Sequence, residues 1–339
     1  MRGWSDVARV EALNLFRVLE YVRELVEKQL LLALTQFETR ERGDAIDVFA
    51  GQPPWHAKCY HAIGVSLRRA AVAGSWYPAN PEALAREVDR YLAAADDALP
   101  GETVALVAPH AGLMYSGPIA AYAYRPLRGR AIDVAVIVGP SHYVGFEGVA
   151  LHDRGAFETP FGPIPVAEEC AADLARKCAL VKSVPAAHDR EHSVEMQLPF
   201  LARVLPNISI VPLVMGFQRR ATAFELGDAL AAVLQGRRAV VIASSDLSHY
   251  QNAHTAEALD RQVIAKVSQL SPDGLMSLLE ARPEHACGGG PMVSAMRAAQ
   301  ALGASDARVL KYGDSGDVSG DKEAVVGYLA AAFGPVDRA

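Results

Sequence analysis

Val104-Ala-Leu-Val-Ala-Pro-His110-Ala-Gly112 is a short apolar run that stops at a proline and delivers an imidazole at a glycine turn. Two other stretches follow the same plan: Val134-Ala-Val-Ile-Val-Gly-Pro-Ser-His142 and Val240-Val-Ile-Ala-Ser-Ser-Asp246-Leu-Ser-His249. Near-continuous Val/Ile/Leu/Ala strands are buried on both faces, which predicts an α/β fold: a mostly parallel central sheet sandwiched by helices. In such open sheets ligands bind at the carboxyl ends of the strands, so His110, His142, Asp246 and His249 are expected at one shared site.

Outward from these runs the pattern keeps alternating. Further strands are expected at 209–214, 238–243, 307–311 and 324–329. Helices are expected at 168–178, 193–205, 222–234, 256–269, 272–280 and 291–302. Asn80-Pro-Glu82 has the form of an N-cap with proline at the first helical position, opening a helix to about Ala95. Val149–Leu151 and Ile164–Val166, around Thr159-Pro-Phe-Gly-Pro163, are read as a hairpin beside the main sheet. Upstream, apolar residues recur at helical intervals from about Asp6 to Glu38, and a Gly/Pro-containing linker covers 41–62. This divides the chain into an N-terminal helical extension with linker, 1–66, and an α/β domain, 67–335. His56, Cys59 and His61 crowd into the linker, but with no fourth ligand the trio does not complete a zinc-site pattern.

The 339 residues, 51% of them hydrophobic, suffice for a large core. A formal net charge of −6 leaves no basic footprint, which argues against nucleic acid and anionic membrane as partners. No apolar run reaches the roughly 18 residues of a membrane span. The four cysteines, Cys59, Cys170, Cys178 and Cys287, are widely spaced with no CxxC pair, as expected of thiols in a reducing cytoplasm.

Two further groups bear on chemistry. In His188-Asp-Arg-Glu-His192-Ser-Val-Glu195, His192 and Glu195 are three apart and would share a helix face. Cys287, in His285-Ala-Cys-Gly-Gly-Gly-Pro291, precedes a helix whose positive end would favour its thiolate, making it a candidate metal ligand or nucleophile. His152, His254, Cys170 and Cys178 are read as structural.

Together with Gly74-Ser-Trp-Tyr-Pro78, Tyr115-Ser-Gly117, Thr159-Pro-Phe-Gly162, Glu191-His-Ser-Val-Glu195 and Tyr312-Gly-Asp-Ser315, these motifs resemble the Memo family. That family (mediator of ErbB2-driven cell motility) is also called AmmeMemoRadiSam system protein B, and its fold resembles the LigB-type class III extradiol dioxygenases. The likeness runs from about Arg69 to Phe333. It implies that His110, His142 and Cys287 line a metal site, with Asp246 and His249 beside it. The dioxygenase relatives hold iron with two histidines and a carboxylate. A soft thiolate at Cys287 in place of that carboxylate moves the preference toward copper, zinc or thiolate-bound iron.

The expectation is therefore a protein binding a transition metal, iron or copper foremost and zinc third, with redox or oxygen chemistry on an unknown small molecule. His249 would be the acid/base and Asp246 would orient it. The resemblance leaves open a non-catalytic scaffold that holds a peptide, or a partner such as an AMMECR1-type or radical SAM protein. It also leaves open Cys287 as a nucleophile with His249 as its base, which requires the two within hydrogen-bond reach.

Overall fold

The computed structural model describes residues 66–95 and 102–335. The expected helix at 6–38, the linker and the His56, Cys59, His61 trio lie outside the described residues. Among the described residues twelve strands are formed: β1 (Leu67–Arg68), β2 (Ala105–Ala108), β3 (Val134–Pro140), β4 (Val149–Leu151), β5 (Ala156–Phe157), β6 (Ile164–Pro165), β7 (Val181–Lys182), β8 (Ser209–Met215), β9 (Ala239–Ser244), β10 (His249–Gln251), β11 (Asp306–Asp314) and β12 (Val325–Gly334). The longer helices are α1 (Pro81–Ala94), α2 (Leu113–Tyr124), α3 (Glu168–Lys177), α4 (Leu198–Val204), α5 (Arg220–Leu234), α6 (Ala253–Ser268), α7 (Pro272–Ala281) and α8 (Gly289–Ala301).

Nine strands make the main sheet, in the order β10-β12-β2-β9-β3-β8-β4-β7, with β11 on β12. Its centre is a parallel block, β2-β9-β3-β8, whose apolar residues are almost wholly buried. The sheet is thus mixed at its flanks: β12 runs antiparallel to β2 and to β11, and β4 runs antiparallel to β8. Helices supply the other layers. In α1 the Asn80 side chain accepts the Ala83 amide at 2.8 Å, a cap worth about 1 kcal/mol, and Leu84, Val88, Tyr91 and Leu92 form the buried stripe.

Two expectations are corrected. Val149–Leu151 is no hairpin arm but a strand of the main sheet; the arm facing β6 is β5, and both join β1 in a separate three-stranded sheet. The helix expected at 193–205 is a single 3-10 turn, Glu195–Gln197, followed by the shorter α4. Helix α2 was not foreseen, because it carries Pro118 and is apolar almost all round. Burial of Leu113, Ile119, Ala120, Ala123 and Tyr124 offsets the missing proline amide.

Candidate metal centre

The ends of the parallel block converge. His110 follows β2, Asp246 follows β9 and His142 follows β3, so the carboxylate's strand lies between the strands of the two imidazoles. The two rings are not on adjacent strands, yet their centroids are 5.2 Å apart, edge to face. Cys287 reaches the same point from the turn before α8, with its sulfur 3.2 Å from His110 Nε2. One ligand atom from each of His110, His142 and Cys287 lies within 4.8 Å of the others, so the trio could hold a metal ion. A tetrahedral site with the usual metal–nitrogen and metal–sulfur bonds asks for a nitrogen–sulfur separation of roughly 3.5 Å, close to what His110 and Cys287 show.

The hydrogen bonds fix which ring nitrogens face inward. Tyr124 donates its hydroxyl to Gln197 Oε1 at 2.7 Å, so Gln197 Nε2 is the donor to Pro109 O and to Ser244 Oγ. Ser244 gives its one proton to Ser193 O at 2.6 Å, and His110 Nδ1, 2.8 Å from Ser244 Oγ, must therefore carry a hydrogen. The lone pair of His110 is left on Nε2, beside Cys287. Burial, and after it the neighbouring His142, lowers the His110 pKa to about 3, so the ring is neutral and ready to ligate.

His142 is held the same way by a different group. Glu191 Oε1 accepts its Nδ1 hydrogen at 2.8 Å, Oε2 accepts its backbone amide at 2.7 Å, and the His192 and Ser193 amides complete the shell at 3.0 and 2.9 Å. Burial pushes the Glu191 carboxyl up, but the ring and amide of His142 and the Ser193 amide outweigh it and hold the pKa at about 2. A carboxylate behind a histidine in this fashion fixes the tautomer and raises the basicity of Nε2.

Cys287 differs from the expectation of an easily ionised thiol. Burial pushes its pKa up, and the nearby Asp246 pushes the same way, so the metal-free sulfur is protonated. Its hydrogen-bonded imidazole is His110; no hydrogen bond joins it to His249 among the described residues, which removes the arrangement needed for a Cys287–His249 nucleophile pair. Asp246 Oδ1 accepts the His110 amide at 2.7 Å, and among the described residues no hydrogen bond joins Asp246 to His249. Burial raises the Asp246 pKa to about 6 against the hydrogen bond from the His110 amide. His249 opens β10, half-buried, with its ring centroid 5.7 Å from that of the exposed Tyr250.

Of the other candidates, His192 joins the centre and Glu195 does not. The His192 ring stacks on His142 at 4.4 Å and touches Trp76 at 4.3 Å, so three imidazoles cluster here, and His142, Glu191 and His192 form a second group that could hold an ion. Glu195 instead binds Arg68, the Ala71 and Val72 amides and the Tyr77 hydroxyl. Sequence reasoning missed Ser244, Glu191, Gln197 and Gln218 as supporting groups. Gln218 follows β8 and ties the Cys287 carbonyl, at 2.6 Å, to the Gly290 amide, at 2.7 Å.

An α/β domain whose parallel strand ends gather imidazoles, a thiol and a buried carboxylate defines a class of candidate metal-binding proteins. The family described as Memo-like protein matches residues 68–332, and the chain belongs to it. It is 39% identical over 282 residues to a MEMO1 family protein of Methanopyrus kandleri, covering 78% of this chain and 98% of that one. It is 37% identical over 274 residues to a MEMO1 family protein of Methanothermobacter thermautotrophicus (77% and 98% covered) and 40% identical over 269 residues to one of Methanosarcina mazei (78% and 98%).

Proposed function

We propose that this Memo-family protein binds one transition-metal ion, iron or copper before zinc, through His110 Nε2, His142 Nε2 and Cys287 Sγ, and uses it for redox or oxygen chemistry on a small molecule. The observation that carries the reading is the engagement of both Nδ1 atoms: Ser244 and Glu191 hold them, so Nε2 is the ligand atom each ring offers in a group with the Cys287 sulfur. A bound ion of this kind would supply Lewis acidity and electron transfer. The chain's own residues would do the rest. Asp246 holds the His110 backbone, Cys287 would hold the ion as a thiolate after losing its proton, and His249 would take a proton from a hydroxyl group of the substrate. The descent of such a pocket from a LigB-type extradiol dioxygenase belongs to this proposal.

The test is anaerobic purification with iron(II) or copper supplied, followed by elemental analysis. About one metal per chain is expected in the wild type, with at least about a tenfold drop in His110→Ala and His142→Ala. A metal-free wild type, or variants with undiminished metal, would overturn it.

A second reading is favoured by one observation: Met114 at the start of α2, Tyr143 after β3, Phe217 after β8 and Tyr250 on β10 are exposed. Such a rim suits a scaffold that grips a peptide, or an AMMECR1-type or radical SAM partner, without turnover. Peptide binding of equal strength in wild type and His110→Ala would select it.

A further inference from the structure

Asp260 is a carboxylate on α6 with no part in the reading above, and its side chain is wholly buried. Among the described residues it forms no ion pair. Its Oδ1 accepts the Ser248 amide and its Oδ2 accepts the Tyr312 hydroxyl, each at 2.9 Å. The fold makes room for it: a Cβ on Gly327 of β12 would overlap Oδ2. Burial raises its pKa above the usual carboxylate value. A buried charged or polar group costs stability unless its bonds repay it, and an apolar residue would fill the same space without that cost. The position therefore asks for a reason beyond packing.

The reason lies in the loop from β9 to β10. Each of its amides has a fixed partner: Ser245 N with Ala108 O at 3.0 Å, Asp246 N with Cys287 Sγ at 3.3 Å, Leu247 N with Gly327 O at 2.8 Å, and Ser248 N with Asp260. Gly327 N returns a bond to Ser248 O at 3.0 Å. Asp260 is the only carboxylate among these anchors, and through Tyr312 it joins the loop to β11. Removing it frees the Ser248 amide, and the Asp246 amide two residues earlier is the one that donates to the sulfur. An N–H aimed at a thiolate stabilises its charge, and groups of this outer kind set affinity at metal sites.

We propose that Asp260 is a positioning residue for the metal centre: it holds the Ser245–Ser248 backbone so that the Asp246 amide stays on the Cys287 sulfur. The consequence at the metal rests on the metal-binding reading; the hold on the loop does not. The experiment compares wild type, Asp260→Leu, which removes both acceptors, and Asp260→Asn, which keeps one for Ser248. Amide hydrogen exchange is read on metal-free protein, and copper affinity and the thiolate-to-copper absorption band on loaded protein. Asp260→Leu should lose protection at 245–248 while β3 and β8 keep theirs, bind copper about 10- to 100-fold more weakly and show a shifted band. Asp260→Asn should restore all three. Wild-type exchange in the loop of a folded Asp260→Leu, or a loosened loop with unchanged band and affinity, overturns the proposal. If Asp260→Leu does not fold, Tyr312→Phe takes its place with the same directions expected, and wild-type behaviour there overturns it. If the wild type takes up no metal, that reading fails separately. Alkylation of Cys287 in metal-free protein, located by mass spectrometry, then decides: faster labelling in the variant supports the hold on the sulfur, and equal labelling overturns it.

Discussion

Glu191 makes the two faces of His142 unequal. With Nδ1 committed to a buried carboxylate, only Nε2 is left to meet a ligand, and the same carboxylate gathers three backbone amides around it. Glu191→Gln keeps the shape and removes the charge. Metal affinity measured by chelator competition should fall about 10- to 100-fold, with wild-type affinity contradicting the assigned tautomer. The front-line residues were legible in the sequence because Pro-His and Gly-Pro turns after apolar runs mark strand ends, as at His110 and His142. Their supports were not: Glu191 lies 49 positions from His142 and Ser244 lies 134 from His110, and no local pattern carries such a pairing. The pKa of Cys287 was misjudged because the helix end is a local signal, whereas burial is a property of the folded core.

At the scale of elements, a strap and a loop decide where His192 and Glu191 stand. Arg68, at the end of β1, donates Nε to His188 O at 3.0 Å, one terminal nitrogen to Glu191 O at 2.5 Å and the other to the Glu195 carboxylate. Glu195 is fully buried and also receives the Ala71 and Val72 amides and the Tyr77 hydroxyl, so the pair closes the 68–77 segment over the 188–195 loop. Removing one partner strands a buried charge. Glu195→Ala should destabilise the fold by about 3–5 kcal/mol in denaturant titration, whereas a loss below about 1 kcal/mol would mean that the pair behaves as a surface one. The sequence showed the alternation of strands and helices well, since burial on both sheet faces leaves continuous apolar runs. It hid α2, where a proline and an apolar surface all round erase the helical period, and it assigned Glu195 to a helix face that the 3-10 turn never forms.

For the whole molecule, no helix among the described residues is long and apolar enough to cross a membrane, and the Memo-like match spans the described α/β domain almost end to end. Three buried histidines, His110, His188 and His192, have pKa values lowered to about 3 chiefly by burial. The unfolded chain protonates these groups near 6.5 and the folded one does not, so the stability they permit is lost as pH falls from 6.5 toward 3. Glu191, held at about 2, adds a loss of the same sign below about 4.5. Asp246, raised to about 6, opposes them: its contribution is present below about 4 and lost as pH rises through 6. Asp260, also raised by burial, opposes them in the same sense; three histidines and one carboxylate outweigh these two carboxylates, so the thermal midpoint of metal-free protein should fall between pH 6.5 and 4. A flat or rising midpoint over that range would contradict the buried, neutral state of the cluster.

Whether two imidazoles and one sulfur share an ion is read most directly by X-ray absorption on protein loaded with a single metal. The predicted spectrum has one sulfur at about 2.3 Å beside nitrogen at about 2.0–2.1 Å, with the sulfur lost in Cys287→Ser. A shell of light atoms alone in the wild type, or a sulfur signal that survives that substitution, would contradict it.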